Sequence, residues 1–98
     1  MQRQAIAAGE RAAARAEYIR HYALPGGLYY KLRQKRPALT LKECQLVGQG
    51  LRQFFLAYLQ GGCAPVAMPS QVVDDLWHEF ILYTKDYQRF CQLAFGQF

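Results

Sequence analysis

Apolar residues recur along most of the chain at the three-to-four-residue spacing of an α-helix, and nowhere do they alternate as in a strand. The clearest stretch is 41–60, where Leu41, Cys44, Val47, Leu51, Phe54, Phe55 and Tyr58 recur at helical spacing and predict the central helix. Thr40-Leu41-Lys42-Glu43 has the Thr-x-x-Glu form of a capping box, in which a hydroxyl and a carboxylate satisfy amides left free at a helix start. Gly61-Gly62 closes the helix. Gly48 and Gly50 each cost up to about 1 kcal/mol in a helix interior, so their presence predicts close helix contact or a kink.

Residues 2–22 have the Ala, Gln, Glu and Arg content of a helix former. Their apolar face is thin, with Ile6 and scattered alanines before the anchors Tyr18, Ile19 and Tyr22. The first half of this helix is expected to project from the core or to meet a partner. Leu24-Pro25-Gly26-Gly27 ends it, and His21 is placed to meet its terminal carbonyls. A short helix over 28–35 follows, stopped by Pro37. After a loop with two prolines, Ser70 is the expected N-cap of a helix whose buried stripe is Val73, Leu76, Trp77, Phe80, Ile81 and Thr84. Thr84 also reads as a second cap, because Tyr87, Phe90, Cys91, Ala94 and Phe98 restart the stripe in a last helix that packs back as a hairpin. The fold class is all-α: one domain over 1–98, a small bundle of four to five helices, with 68–98 as a C-terminal helical hairpin. A buried Trp77 implies that its truncation to Ala costs about 3–5 kcal/mol.

A chain of 98 residues buries roughly 65% of its unfolded surface, enough for one core without metal or disulfide staples. No apolar run approaches the length of roughly 18 residues needed for a membrane span, and Arg3, Glu10, Arg11 and Arg15 interrupt any signal peptide. The expectation is a cytoplasmic protein with no membrane attachment. The net charge of +5 is unevenly spread. Arg20, Lys31, Arg33, Lys35, Arg36 and Lys42 run without an intervening acid, whereas Asp74, Asp75 and Glu79 crowd one segment. Such a division favours an oriented encounter with a charged partner.

Asp74 and His78 stand four apart and share a helix face, as do Asp75 and Glu79. The first pair is a surface ion pair, or it makes His78 a metal ligand, with Cys91 a further candidate, or a general base oriented by Asp74. A zinc site needs three or four protein ligands, and the chain has two His residues and no Cys-x-x-Cys. The second pair sets like charges together, which predicts a basic counterpart: Lys85, Arg89 or the basic segment. In that segment, Tyr29-Tyr30-Lys31-Leu32-Arg33-Gln34-Lys35-Arg36 interleaves aromatics with cations that could grip phosphates, or forms a short helix with one basic side in water. Cys44, Cys63 and Cys91 are odd in number, and Cys44 and Cys91 fall on apolar faces, as core thiols do. There is no phosphate loop, nucleophile elbow or His-Glu-x-x-His pair, so neither catalysis nor a cofactor is expected.

Val73-Asp74-x-x-Trp77-His78, followed by Tyr87-x-x-Phe90-Cys91, resembles the glycine-rich domain-containing protein-like family over about Met68 to Phe98. The resemblance implies a bacterial stand-alone member. Phe80 stands where plant-type members carry a second His, and bacterial relatives continue into a His-rich segment past the position of Phe98. The favoured function is a protein-interaction module presenting Asp74, Asp75, His78 and Glu79 as a polar face. The alternatives are nucleic-acid binding through Lys31, Arg33, Lys35 and Arg36, and metal binding that includes His78.

Overall fold

A computed structural model describes residues 2–97 of the chain, with side chains from Ala8 onward. Five helices follow in order: α1 (Gln2–His21), α2 (Gly27–Lys35), α3 (Leu41–Gln60), α4 (Gln71–Leu82) and α5 (Thr84–Phe95), with no strand among the described residues. The all-α bundle with a C-terminal hairpin is therefore observed. Ile6 and Phe98, expected on apolar faces, lie outside the described side chains.

Local chemistry sets most of the helix ends. The Thr40 hydroxyl accepts from the Glu43 amide at 3.1 Å and the Glu43 carboxylate accepts from the Thr40 amide at 3.0 Å, completing the capping box. Those hydrogen bonds to Thr40 hold the Glu43 carboxyl below its usual range. The Ser70 hydroxyl caps α4 by accepting from the Val73 amide at 3.2 Å. Past α3, Gly62 and Cys63 both take positive φ, 72° and 63°, and the Cys63 amide returns to the Tyr58 carbonyl at 2.9 Å. Thr84 does not cap α5. It is the first helical residue and is exposed, while Tyr83 alone serves as both the end of α4 and the start of α5. His21 likewise meets Glu17 at 3.2 Å instead of the terminal carbonyls.

The core gathers Ile19, Leu28, Leu32, Cys44, Leu51, Leu76, Phe80, Phe90 and Ala94, all at most 1% exposed. Phe90 lies at its centre, with ring centroids 4.6 Å from Tyr22, 4.7 Å from Phe55 and 5.5 Å from Phe80. Cys44 and Cys91 are free thiols buried in the same core. Leu41, expected on the buried face of α3, is exposed at the first turn. α1 joins the core only from Ala16 onward. Residues 8–14 are exposed throughout, and the molecule measures 53 × 24 × 21 Å, so the N-terminal half of α1 extends past the bundle as expected.

Both glycines of α3 admit a neighbouring side chain. A Cβ at Gly48 would collide with the Tyr29 hydroxyl from α2, and one at Gly50 would lie 3.0 Å from a Val73 methyl of α4. They mark close helix contacts. Gly27, at the start of α2, is approached in the same way by the Tyr83 hydroxyl.

Truncating the central ring should be costly: Phe90→Ala is expected to lower stability by about 3–5 kcal/mol in urea unfolding. Leu82→Ser, at a side chain that stands in water, should stay within about 0.5 kcal/mol of the parent protein.

Candidate functional site

The acidic residues of α4 divide between two uses. Asp74 and His78 point outward and meet at 3.4 Å, a surface pair on one face as their spacing implies. Asp75 and Glu79 turn toward α2. Arg36 donates to Asp75 at 2.8 Å, and Lys35 meets Glu79 at 3.0 Å. Glu79, expected on an open polar face, is only 6% exposed. The like-charged pair thus has its basic counterpart in the segment 35–36, not in Lys85 or Arg89. Because α2 runs antiparallel to α4, the two cations at its end meet the two carboxylates one turn apart.

The other cations of the basic segment are also engaged within the molecule. Arg33 donates to the Leu39 carbonyl at 3.1 Å, and the Lys31 ammonium sits 5.7 Å from the centre of the Tyr83 ring. Among the described residues, no three His, Cys, Asp or Glu side chains come together to hold a metal ion, so Asp74, His78 and Cys91 do not form one site.

A sizeable recess lies elsewhere. A cleft of about 550 Å³ opens between α3, α4, α5 and the loop before α4, lined by Phe54, Tyr58, Val66, Trp77, Tyr87 and Phe95 among others. Phe54 packs against Trp77 at 5.6 Å, and Tyr58 meets Phe95 edge-on at 4.9 Å, so rings wall it on two sides. Three of its polar groups form one line, and Tyr58 and Gln97 are further polar residues of the lining. The Trp77 indole donates to the Tyr87 hydroxyl at 3.3 Å, and that hydroxyl in turn bonds the Cys91 thiol. Burial pushes Tyr87 up to about 12, against the opposing effect of the indole donor, and also raises Cys91. Both groups stay protonated at neutral pH, and no lining side chain is charged.

Trp77 is therefore a partly buried wall of the cleft and not a fully buried core residue. Its removal takes fewer contacts than Phe90 does and costs less than the 3–5 kcal/mol implied by full burial. The sequence hides the cleft because Phe54 and Tyr58 recur at the same helical spacing as the buried residues of α3. Adjacent helical positions differ by about 100°, so Phe54, Phe55 and Leu56 together span more width than one buried face, and that surplus of apolar width is the available signal.

A family profile matches residues 14–98, everything except the projecting part of α1. The chain belongs to the UCP032817-like family. This overturns the resemblance to the glycine-rich domain-containing protein-like family. The residues behind that resemblance are engaged within the hairpin: Trp77 bonds Tyr87, Phe90 fills the core and Cys91 is buried. The UCP032817-like family is uncharacterised, so membership brings no reaction or partner. No curated protein and no solved structure matches the chain. No helix among the described residues is long and apolar enough to cross a membrane.

Two predictions arise from this geometry. Lys35→Met strands a buried carboxylate, whereas Glu79→Gln leaves a lysine that is 48% exposed and rehydrates. Lys35→Met should therefore cost about 2–3 kcal/mol in urea unfolding and Glu79→Gln about 1 kcal/mol. Equal costs would place Glu79 in water. The second concerns alkaline pH. Tyr22 and Tyr87 are both pushed from 10.0 up to about 12, chiefly by burial. The stability they carry is complete below pH 10 and is lost as pH rises toward 12, because the unfolded chain ionises first. Phenolate absorbance should lose a late-titrating component in Tyr87→Phe, which should also flatten part of the alkaline loss of stability.

Proposed function

We propose that this small helical member of the UCP032817-like family is a binding module without catalysis of its own, and that the aromatic cleft is its binding surface. The observation that carries this is the cleft itself: a recess of about 550 Å³ walled by Phe54, Tyr58, Trp77 and Phe95, left open in an otherwise closed aromatic core. A recess of this size with a few convergent polar groups is the usual form of a binding site. The polar face first expected to bind is a weaker candidate, since Asp75 and Glu79 are held by Arg36 and Lys35. Phosphate binding by the basic segment would compete with the contacts that Lys31, Arg33, Lys35 and Arg36 already make.

Affinity capture from the source cell with the full chain as bait tests this through two variants. Val66→Arg places a charge at the cleft, and Lys31→Glu with Arg33→Glu reverses the exposed part of the basic segment. A bound molecule should be lost with the first and kept with the second. The opposite pattern, with binding that falls steeply as salt rises, would transfer the function to the basic segment.

A further inference from the structure

Resting on the cleft being the binding surface, we infer that its ligand is an uncharged, flat aromatic small molecule, held between ring walls. Size comes first. About 550 Å³ lies within the range of roughly 300–1,000 Å³ that drug-sized ligands occupy.

Charge narrows the class. Among the described residues the lining carries no Lys, Arg, Asp or Glu, so an ion entering it would lose water and gain no counter-charge from them. The ring faces could attract a cation, but no described carboxylate side chain lines the cleft and the chain as a whole carries +5. An anion would be drawn toward the molecule from a distance, but it finds no cation in the lining, and the Tyr87 hydroxyl and Cys91 thiol stay protonated. An uncharged ligand meets neither obstacle. Aromatic walls at differing tilts then favour a flat ring system, which gains both stacked and edge-on contacts.

The surroundings separate a small molecule from a protein. A stable protein interface spreads over about 800 Å² on each side and needs apolar surface continuing beyond its central pocket. Among the described residues, the large exposed apolar side chains Tyr30, Leu41, Leu46, Leu82 and Leu93 lie outside the lining. The recess itself is matched in size by one small ligand.

Trp77 is the single tryptophan of the chain and one wall of the cleft, so its fluorescence reports occupancy directly. The test titrates the full chain with N-phenyl-1-naphthylamine, which is uncharged, and with 1-anilinonaphthalene-8-sulfonate, which adds a sulfonate to the same rings. A trimethylammonium naphthalene serves as the cationic counterpart. The neutral probe should quench Trp77 with one-to-one stoichiometry and a Kd on the order of 100 μM or tighter, as expected for a ligand of its size. Both charged probes should bind at least tenfold more weakly. Val66→Arg, in a loop outside the helices, should weaken the neutral probe at least tenfold, and Tyr58→Ala supplies a second cleft variant should Val66→Arg fail to fold. Equal or tighter binding of either charged probe to Trp77 overturns the uncharged class while leaving the cleft as a binding surface. A silent Trp77 with all three probes, alongside a captured protein lost on Val66→Arg, overturns the small-molecule class in favour of a protein ligand. Probe binding and capture that both ignore the cleft variants would overturn this inference together with the function it rests on.

Discussion

The ring of Phe90 is the point on which four helices converge. It packs on Tyr18 and Tyr22 from the end of α1, on Phe55 of α3, on Phe80 of α4 and on Phe95 of its own helix, at centroid distances between 4.6 and 5.9 Å. Aromatic rings bury more area per residue than other side chains, and tilted pairs add to that burial. A 98-residue chain without disulfides has few other means of holding α1, α3, α4 and α5 in one register. The second helix is held differently. Leu28 and Leu32 enter the core, but its orientation is set by Lys35 and Arg36 on the α4 carboxylates and by tyrosines seated against Gly27 and Gly48.

The cleft is a geometric consequence of that convergence. Once Phe55 turns inward to Phe90, its neighbour Phe54 must face about 100° away, toward Trp77. Trp77 stands one position after fully buried Leu76, and Phe95 follows buried Ala94. α3, α4 and α5 thus each set a ring of the recess next to a residue buried in the core. The Tyr87 hydroxyl satisfies the indole at the boundary, so the polar edge of the cleft is fixed by the same hairpin that builds the core. Structure and proposed function share residues, and a cleft variant is best made on the loop at Val66, away from the convergent rings.

Features decided by short-range chemistry were legible in the sequence. The capping box at Thr40 and Glu43, the Ser70 cap, the stop before Pro37 and the glycines at close helix contacts all depend on residues within a turn of one another or on the absence of a Cβ. Features decided by tertiary partners were not. Nothing local to Glu79 says that Lys35 will cover it, since the two lie on separate helices whose antiparallel approach sets the match. Thr84 has a capping side chain, yet the Tyr83 ring is anchored under α2 and fixes the joint one residue earlier. The site was legible only as an excess of aromatic residues over what one buried face can hold. Its location needed three helices and a loop in place.

Trp77 stands at the wall of a water-open cleft beside a closed core. Collisional quenching of its fluorescence by acrylamide in the unliganded full chain tests this most directly. The structure predicts quenching intermediate between that of a free indole and that of a buried one, increasing when Val66 or Tyr58 is cut to Ala. An unquenchable, blue-shifted Trp77 would mean that the cleft is collapsed, and quenching equal to that of a free indole would mean that α4 does not pack as described.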